Sequence, residues 1–138
     1  MSFVIHFIGF IFCFNLFAEK KEQFYQELYA KKIGGRTEVQ MPDGTRCDIL
    51  TATHAIEVDF AEKWAEAIGQ SLNYSIQAKR KAGIAIIIRE EKDKEHLSRL
   101  KNIIQKNGLK IDVFEIDAFR PNEMQNFNNV LEQIEIFY

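Results

Sequence analysis

Cysteine is scarce in this chain, with Cys13 and Cys47 the only two. If Cys13 leaves with a cleaved leader, Cys47 stands alone, which excludes an intramolecular disulfide framework and a cysteine-based zinc site. Histidine is equally thin. His6, His54 and His96 are too far apart to show metal-ligand spacing. No G-x-S-x-G elbow, P-loop or Rossmann glycine pattern occurs, so serine-hydrolase and nucleotide-cofactor chemistry have no support in the sequence. Charge of neither sign dominates, since 18 Lys and Arg stand against 20 Asp and Glu for a net charge of −2. Long-range attraction to nucleic acid is therefore not written into the net charge, and any such binding needs a local patch.

Charge is missing altogether from residues 1–18, MSFVIHFIGFIFCFNLFA. An apolar stretch of this length, ending abruptly at Glu19 with the small residue Ala18 before it, reads as a secretory signal peptide. An uncleaved N-terminal anchor is the alternative. Aromatic residues all round the segment argue against a buried core helix, and Phe12 before Cys13 argues against lipid attachment. The expectation is an exported protein, periplasmic or secreted. Residues 19–138 then form a single domain, long enough for one core and too short for two.

From Glu19 to Ile33, Phe24, Leu28 and Ala30 to Ile33 recur at approximate helical spacing, and Gly34-Gly35 supplies a C-terminal stop. Thr37 to Met41 and Thr45 to Ala52 are β-prone runs joined by the turn Pro42-Asp43-Gly44. His54 to Phe60 alternates, with Ile56, Val58 and Phe60 on one face and Glu57 and Asp59 on the other. The period becomes helical from Ala61 to about Gln77, with Trp64, Ile68, Leu72 and Ile76 expected to face the sheet. Lys63, Gln70 and Tyr74 follow a neighbouring stripe.

A basic link, Lys79-Arg80-Lys81, leads to the continuous apolar run Ile84 to Ile88, which suits a strand buried on both faces. Asp93 to Lys106 is amphipathic, with Leu97, Leu100, Ile103 and Ile104 inward. Leu109 to Ile116 alternates as a strand, and residues 122–134 carry a weaker helical pattern. The order predicts an α/β fold with a mixed central sheet flanked by helices.

The chemistry concentrates between Asp48 and Tyr74. Hydrolysis of a phosphodiester needs an acidified water, charge neutralisation on the phosphoryl oxygens and a stabilised leaving oxygen, which one or two divalent cations supply. Hard Mg²⁺ takes oxygen ligands. With normal strand register Asp48 and Glu57 lie side by side, a pairing that repels unless a cation sits between them. The opposite phase of Cys47 on the same strand favours its burial.

These residues resemble the PD-(D/E)xK nuclease superfamily, whose restriction endonuclease-like αβββαβ core matches the element order from Glu19 to Ile88. The resemblance implies that Asp48 and the Glu57-Val58-Asp59 triplet form the metal and catalytic site. Asp59 stands where the superfamily has lysine, and Lys63 looks like a migrated replacement near the nucleophilic water. The Gln70-Ser-Leu-Asn-Tyr74 spacing is similar to the Q-x-x-x-Y motif of RecB-like exonucleases. By that likeness Gln70 orients the site and Tyr74 contacts the nucleic acid.

A glutamate on the first helix often completes the metal shell in that superfamily. Glu22 is the candidate here, with Glu27 as its competitor and Glu38 as a more distant helper. The implied cofactor is Mg²⁺ or Mn²⁺, and the implied partner is DNA or RNA. Asp43 to Tyr74 is also similar to a pattern in small exported bacterial proteins of unassigned function.

Plainer readings stand beside these. Lys63 is equally able to pair with Glu62 or Glu66 on a solvated helix face, and Asp59 to cap the following helix. Trp64 and Tyr74 suit core or rim positions, and His54 an exposed turn. Lys79 and Arg80 are either a solvated link or phosphate contacts, in the second case the substrate-binding residues. With Asp59 in the lysine position, a catalytically inactive binding or interaction module on the same fold is the alternative function.

Overall fold

β-Branched residues and alanines concentrate between Ala82 and Ile88, and this run forms a strand whose seven residues are all buried. The computed structural model describes residues 21–118. The leader expected at 1–18 and the helix expected at 122–134 lie outside them.

The elements in order are α1 (21–33), β1 (Arg36–Gln40), β2 (Arg46–Leu50), β3 (His54–Phe60), a 3-10 turn (Ala61–Lys63), α2 (Trp64–Ala78), β4 (Lys81–Ile88), α3 (Asp93–Lys106) and β5 (Ile111–Asp117). They build a mixed sheet in the order β1-β2-β3-β4-β5. The first two pairings are antiparallel and the last two parallel. The tight turn Pro42-Asp43-Gly44 accounts for the first hairpin, and the crossover helices α2 and α3 for the parallel strands. The expected α/β class with a mixed sheet flanked by helices is observed.

Alternation sorts the side chains of the sheet into two cores. Ile56, Val58, Phe60, Ala85 and Ile87 pack with Tyr25 and Ala30 of α1. On the opposite face, Ala82, Ile84, Ile86 and Ile88 meet Ala67 of α2 and Leu97 and Leu100 of α3. Each fully buried isoleucine contributes about 1.5–3 kcal/mol relative to an exposed one. A smaller cluster joins Met41, Cys47 and Ala55 to Tyr74 of α2. Cys47 is fully buried, as its phase suggested, and burial pushes its thiol up to about 11, which leaves it unreactive.

Four sequence expectations are corrected. Ile76 is 72% exposed rather than facing the sheet. Steps of four residues drift by about 40° each, so a stripe begun at Trp64 has rotated out to the surface by Ile76. The helix buries Ala67, Ser71 and Tyr74 instead. In α1 the inward residues are Tyr25, Gln26 and Ala30, while Leu28 and Ile33 reach 40% and 36% exposure. Lys81 belongs to β4 and not to a link. Ile103 of α3, expected inward, is 38% exposed.

The stop at the end of α1 has a clear physical basis. Gly34 adopts φ +70, and the Gly35 N–H donates to the Ala30 carbonyl at 2.8 Å. A Cβ on Gly35 would collide with Ile49 Cγ2, so the glycine also sets how closely the chain approaches β2. Among the described residues no helix is long and apolar enough to cross a membrane.

Candidate active site

The regular ladder between β2 and β3 is short, with Ile49 opposite Ile56 and Leu50 opposite Ala55. Continuing that register places Asp48 opposite Glu57, and there a side chain replaces the backbone ladder. Asp48 Oδ2 accepts the Val58 N–H at 2.8 Å. On the other edge of β2, Glu38 occupies the position facing Asp48 and adopts φ 53, left-handed geometry that a non-glycine residue takes at a cost. Gln26 of α1, 4% exposed, braces this distortion. Its Nε2 donates to the Asp48 carbonyl at 2.9 Å and to Glu38 Oε1 at 2.7 Å.

Around this irregular point three acidic side chains gather under α2. Glu57 and Asp59 are 4% and 3% exposed. Asp48 and Glu57 lie side by side, with the Tyr74 hydroxyl next to Glu57. Glu22 of α1 completes the group beside Asp59. Lys63, at the end of the 3-10 turn, bridges the two, with its Nζ 3.2 Å from Glu22 Oε2 and 3.3 Å from Asp59 Oδ1. Its pairing with Glu22 and Asp59, rather than Glu62 or Glu66, brings the lysine to the carboxylates.

The electrostatics are those of crowded, dry carboxylates. Burial pushes all three acids up: Asp48 to about 6, Asp59 to about 7 and Glu57 to about 10. For Glu57 the Asp48 and Asp59 charges add to the burial effect, and for Asp59 the charge of Glu22 does so. Burial pulls the Lys63 ammonium down, but Asp59 and Glu22 outweigh it and hold the lysine protonated. Tyr74 is raised by burial and by the same carboxylates.

One buried carboxylate oxygen, Glu57 Oε2, has no partner, while Asp59 Oδ1 has only the Lys63 ammonium at 3.3 Å. Hard oxygen donors fit a divalent cation, which would give Glu57 Oε2 the partner it lacks. Among the described residues no three His, Cys, Asp or Glu side chains converge on one metal position. Asp48 is engaged with the Val58 N–H, and Lys63 holds the place between Glu22 and Asp59.

Of the residues singled out in the sequence, Glu22, Asp48, Glu57, Asp59 and Lys63 therefore come together. Tyr74 joins them as a buried partner of Glu57, at 6% exposure, and not as an open surface for a nucleic acid strand. Gln70 is exposed, and no hydrogen bond ties it to the carboxylates. The seven-residue step from Lys63 to Gln70 assumes one continuous α-helix, whereas Lys63 lies in a 3-10 turn with a different angular step.

Glu27 is exposed and bonded to Gln23. Lys79 and Arg80 lie at the opposite end of α2. Asp59 is a strand residue and makes no helix cap. His54 is no idle turn residue, since its Nε2 lies 2.7 Å from Asp112 Oδ2.

Gln26 was missed by sequence reasoning. The available signal was its position four residues after Glu22, which puts both on one face of α1. Comparison with family models, with curated proteins and with solved structures gives no match to this chain.

Proposed function

We propose that the protein is a metal-dependent phosphodiesterase, a nuclease of PD-(D/E)xK type acting on DNA or RNA, with Mg²⁺ or Mn²⁺ as cofactor. One observation carries this reading. Glu57 Oε2 is buried and unpartnered beside Asp48 and Asp59, an arrangement that costs stability unless a cation joins it. The helix, three-strand meander, helix and strand from α1 to β4 supply the element order of a restriction endonuclease-like core.

Asp48 and Glu57 would hold the metal, with Glu22 at its margin. A bound divalent cation supplies charge neutralisation on the phosphoryl oxygens and makes water more acidic. The other roles belong to the chain. Tyr74 packs beside the Glu57 carboxyl, and Gln26 and the Val58 N–H fix Asp48. Lys63 is held protonated, so it serves as a positive charge beside the attacking water or a phosphoryl oxygen rather than as a base. Asp59, raised to about 7, is the group suited to accept a proton near neutral pH. Export, as expected from residues 1–18, completes the proposal.

A second reading is favoured by Asp59 in the lysine position and by the absence, among the described residues, of three converging ligands. In it the same fold is a binding module without catalysis. The test is incubation of the full chain with labelled single- and double-stranded DNA and RNA in Mg²⁺ or Mn²⁺, beside EDTA and the Glu57→Gln variant. Metal-dependent cleavage lost in the variant supports the nuclease. Folded protein that cuts none of the four polymers refutes it in favour of the binding module.

A further inference from the structure

At the end of α2 farthest from Lys63, an open cleft of about 940 Å³ runs under the N-terminal ends of β3, β4 and β5. Its lining combines two chemistries. Lys79, Arg80, Lys81 and Lys110 supply four positive charges, while the exposed Ile76 and the half-buried Leu109 supply an apolar surface between them. Asp112, the single carboxylate in the lining, is already held by His54 at 2.7 Å. The Arg80 guanidinium is turned onto the Ala52 carbonyl.

The remaining three cations differ from the lysines of the ion-paired surface. Lys63, Lys92, Lys94 and Lys101 each pair with a carboxylate. Among the described residues, Lys79, Lys81 and Lys110 form no ion pair. Lys79 also occupies the cap of α2 at φ 51, a left-handed position that glycine fills without strain. A lysine there costs stability, and the cost places its ammonium on the cleft.

We propose that this cleft binds single-stranded nucleic acid, with phosphates on Lys79, Lys81 and Lys110 and an unstacked base against Ile76 and Leu109. A positive groove with apolar contact surfaces is the general solution for sequence-tolerant single-strand binding. A base paired in a duplex cannot present its face to the apolar floor. Measured along β3 at about 3.3 Å per residue, His54 beside the cleft is about 10–17 Å from Glu57 and Asp59. The cleft is therefore a separate anchoring site. The proposal shares its polymer with the nuclease reading but needs neither metal nor the carboxylates.

The experiment is fluorescence anisotropy of a labelled ten-nucleotide dT strand with the full chain in EDTA, repeated across a salt series. Three phosphate contacts predict a slope of log K against log salt of about −2, since each contributes about −0.7 on a single strand. Lys79→Gly should bind about three- to tenfold more weakly with a slope of about −1.4, yet melt no lower than the parent because the cap strain is relieved. Ile76→Ser should weaken dT binding and leave binding of a sulfated polysaccharide unchanged. Glu57→Gln should bind dT like the parent. Unaltered affinity in Lys79→Gly, equal affinity for duplex, or loss of binding in Glu57→Gln would each overturn the proposal. Absence of cleavage with intact binding would count against the nuclease reading alone.

Discussion

The metal-free protein should lose stability as pH rises from 5 to 7, and the loss should shrink in Glu57→Gln to the part that Asp48 and Asp59 contribute. Carboxyls in an unfolded chain titrate near pH 4, whereas burial and mutual repulsion raise Asp48 to about 6, Asp59 to about 7 and Glu57 to about 10. Between the unfolded and folded values the native state holds more protons than the unfolded state, so stability falls with rising pH. One proton of difference corresponds to about 1.4 kcal/mol per pH unit. Glu57 alone then accounts for a fall of about 3 kcal/mol between pH 5 and 7, with Asp48 and Asp59 adding to it.

Glutamine keeps the shape but removes the charge, so Glu57→Gln should be more stable than the parent at pH 7 and nearly equal at pH 5. The assay is urea unfolding in EDTA at each half unit of pH. Mn²⁺ at about a hundred times its Kd should restore about 2.7 kcal/mol to the parent at pH 7 and little to the variant. A stability that stays flat or rises with pH, or a Glu57→Gln variant weaker than the parent at pH 7, would show that these carboxyls are not raised by burial.

Other outcomes follow from the same geometry. Lys63→Met should reduce metal-dependent cleavage about 10²-fold or more, with little change in urea midpoint because the lysine is half exposed; a parent-like rate would remove Lys63 from the site. Gln26→Leu should cost about 1–3 kcal/mol, since the Asp48 carbonyl loses its buried donor, as measured by chemical denaturation. Ile84→Ala, on a fully buried strand residue, should cost about 2–5 kcal/mol, whereas Ile76→Ser should stay within about 0.5 kcal/mol. Cleavage by the parent should rise with pH through about 7 as Asp59 ionises; a profile falling over that range would exclude Asp59 as the proton acceptor.

Much of this arrangement was legible in periodicity. His54 to Phe60 announced a strand with two acids on one side, and those acids are where alternation put them. The apolar run ending at Ile88 announced a strand covered on both faces. Longer-range phase was harder to read. A 3-10 turn before Trp64 broke the angular relation between Lys63 and Gln70, and four-residue drift carried Ile76 out of the core. The brace from Gln26 to Asp48 and Glu38 joins elements 22 and 12 residues apart, and no local pattern encodes such a contact. The cleft at Lys79 also needed tertiary structure, because Lys110 and Leu109 reach it from a different crossover.

The carboxylates of β2 and β3, as proposed, form a divalent-cation site. The most direct test of that proposal is calorimetric titration of the full chain with Mn²⁺ at pH 7 in two buffers of different ionisation heat. Saturable binding is expected, with release of about one proton or more because burial and neighbouring charge favour a protonated Glu57 before the cation arrives, and with loss of both signals in Glu57→Gln and Asp48→Asn. Absence of binding, or binding that both variants retain, would contradict it.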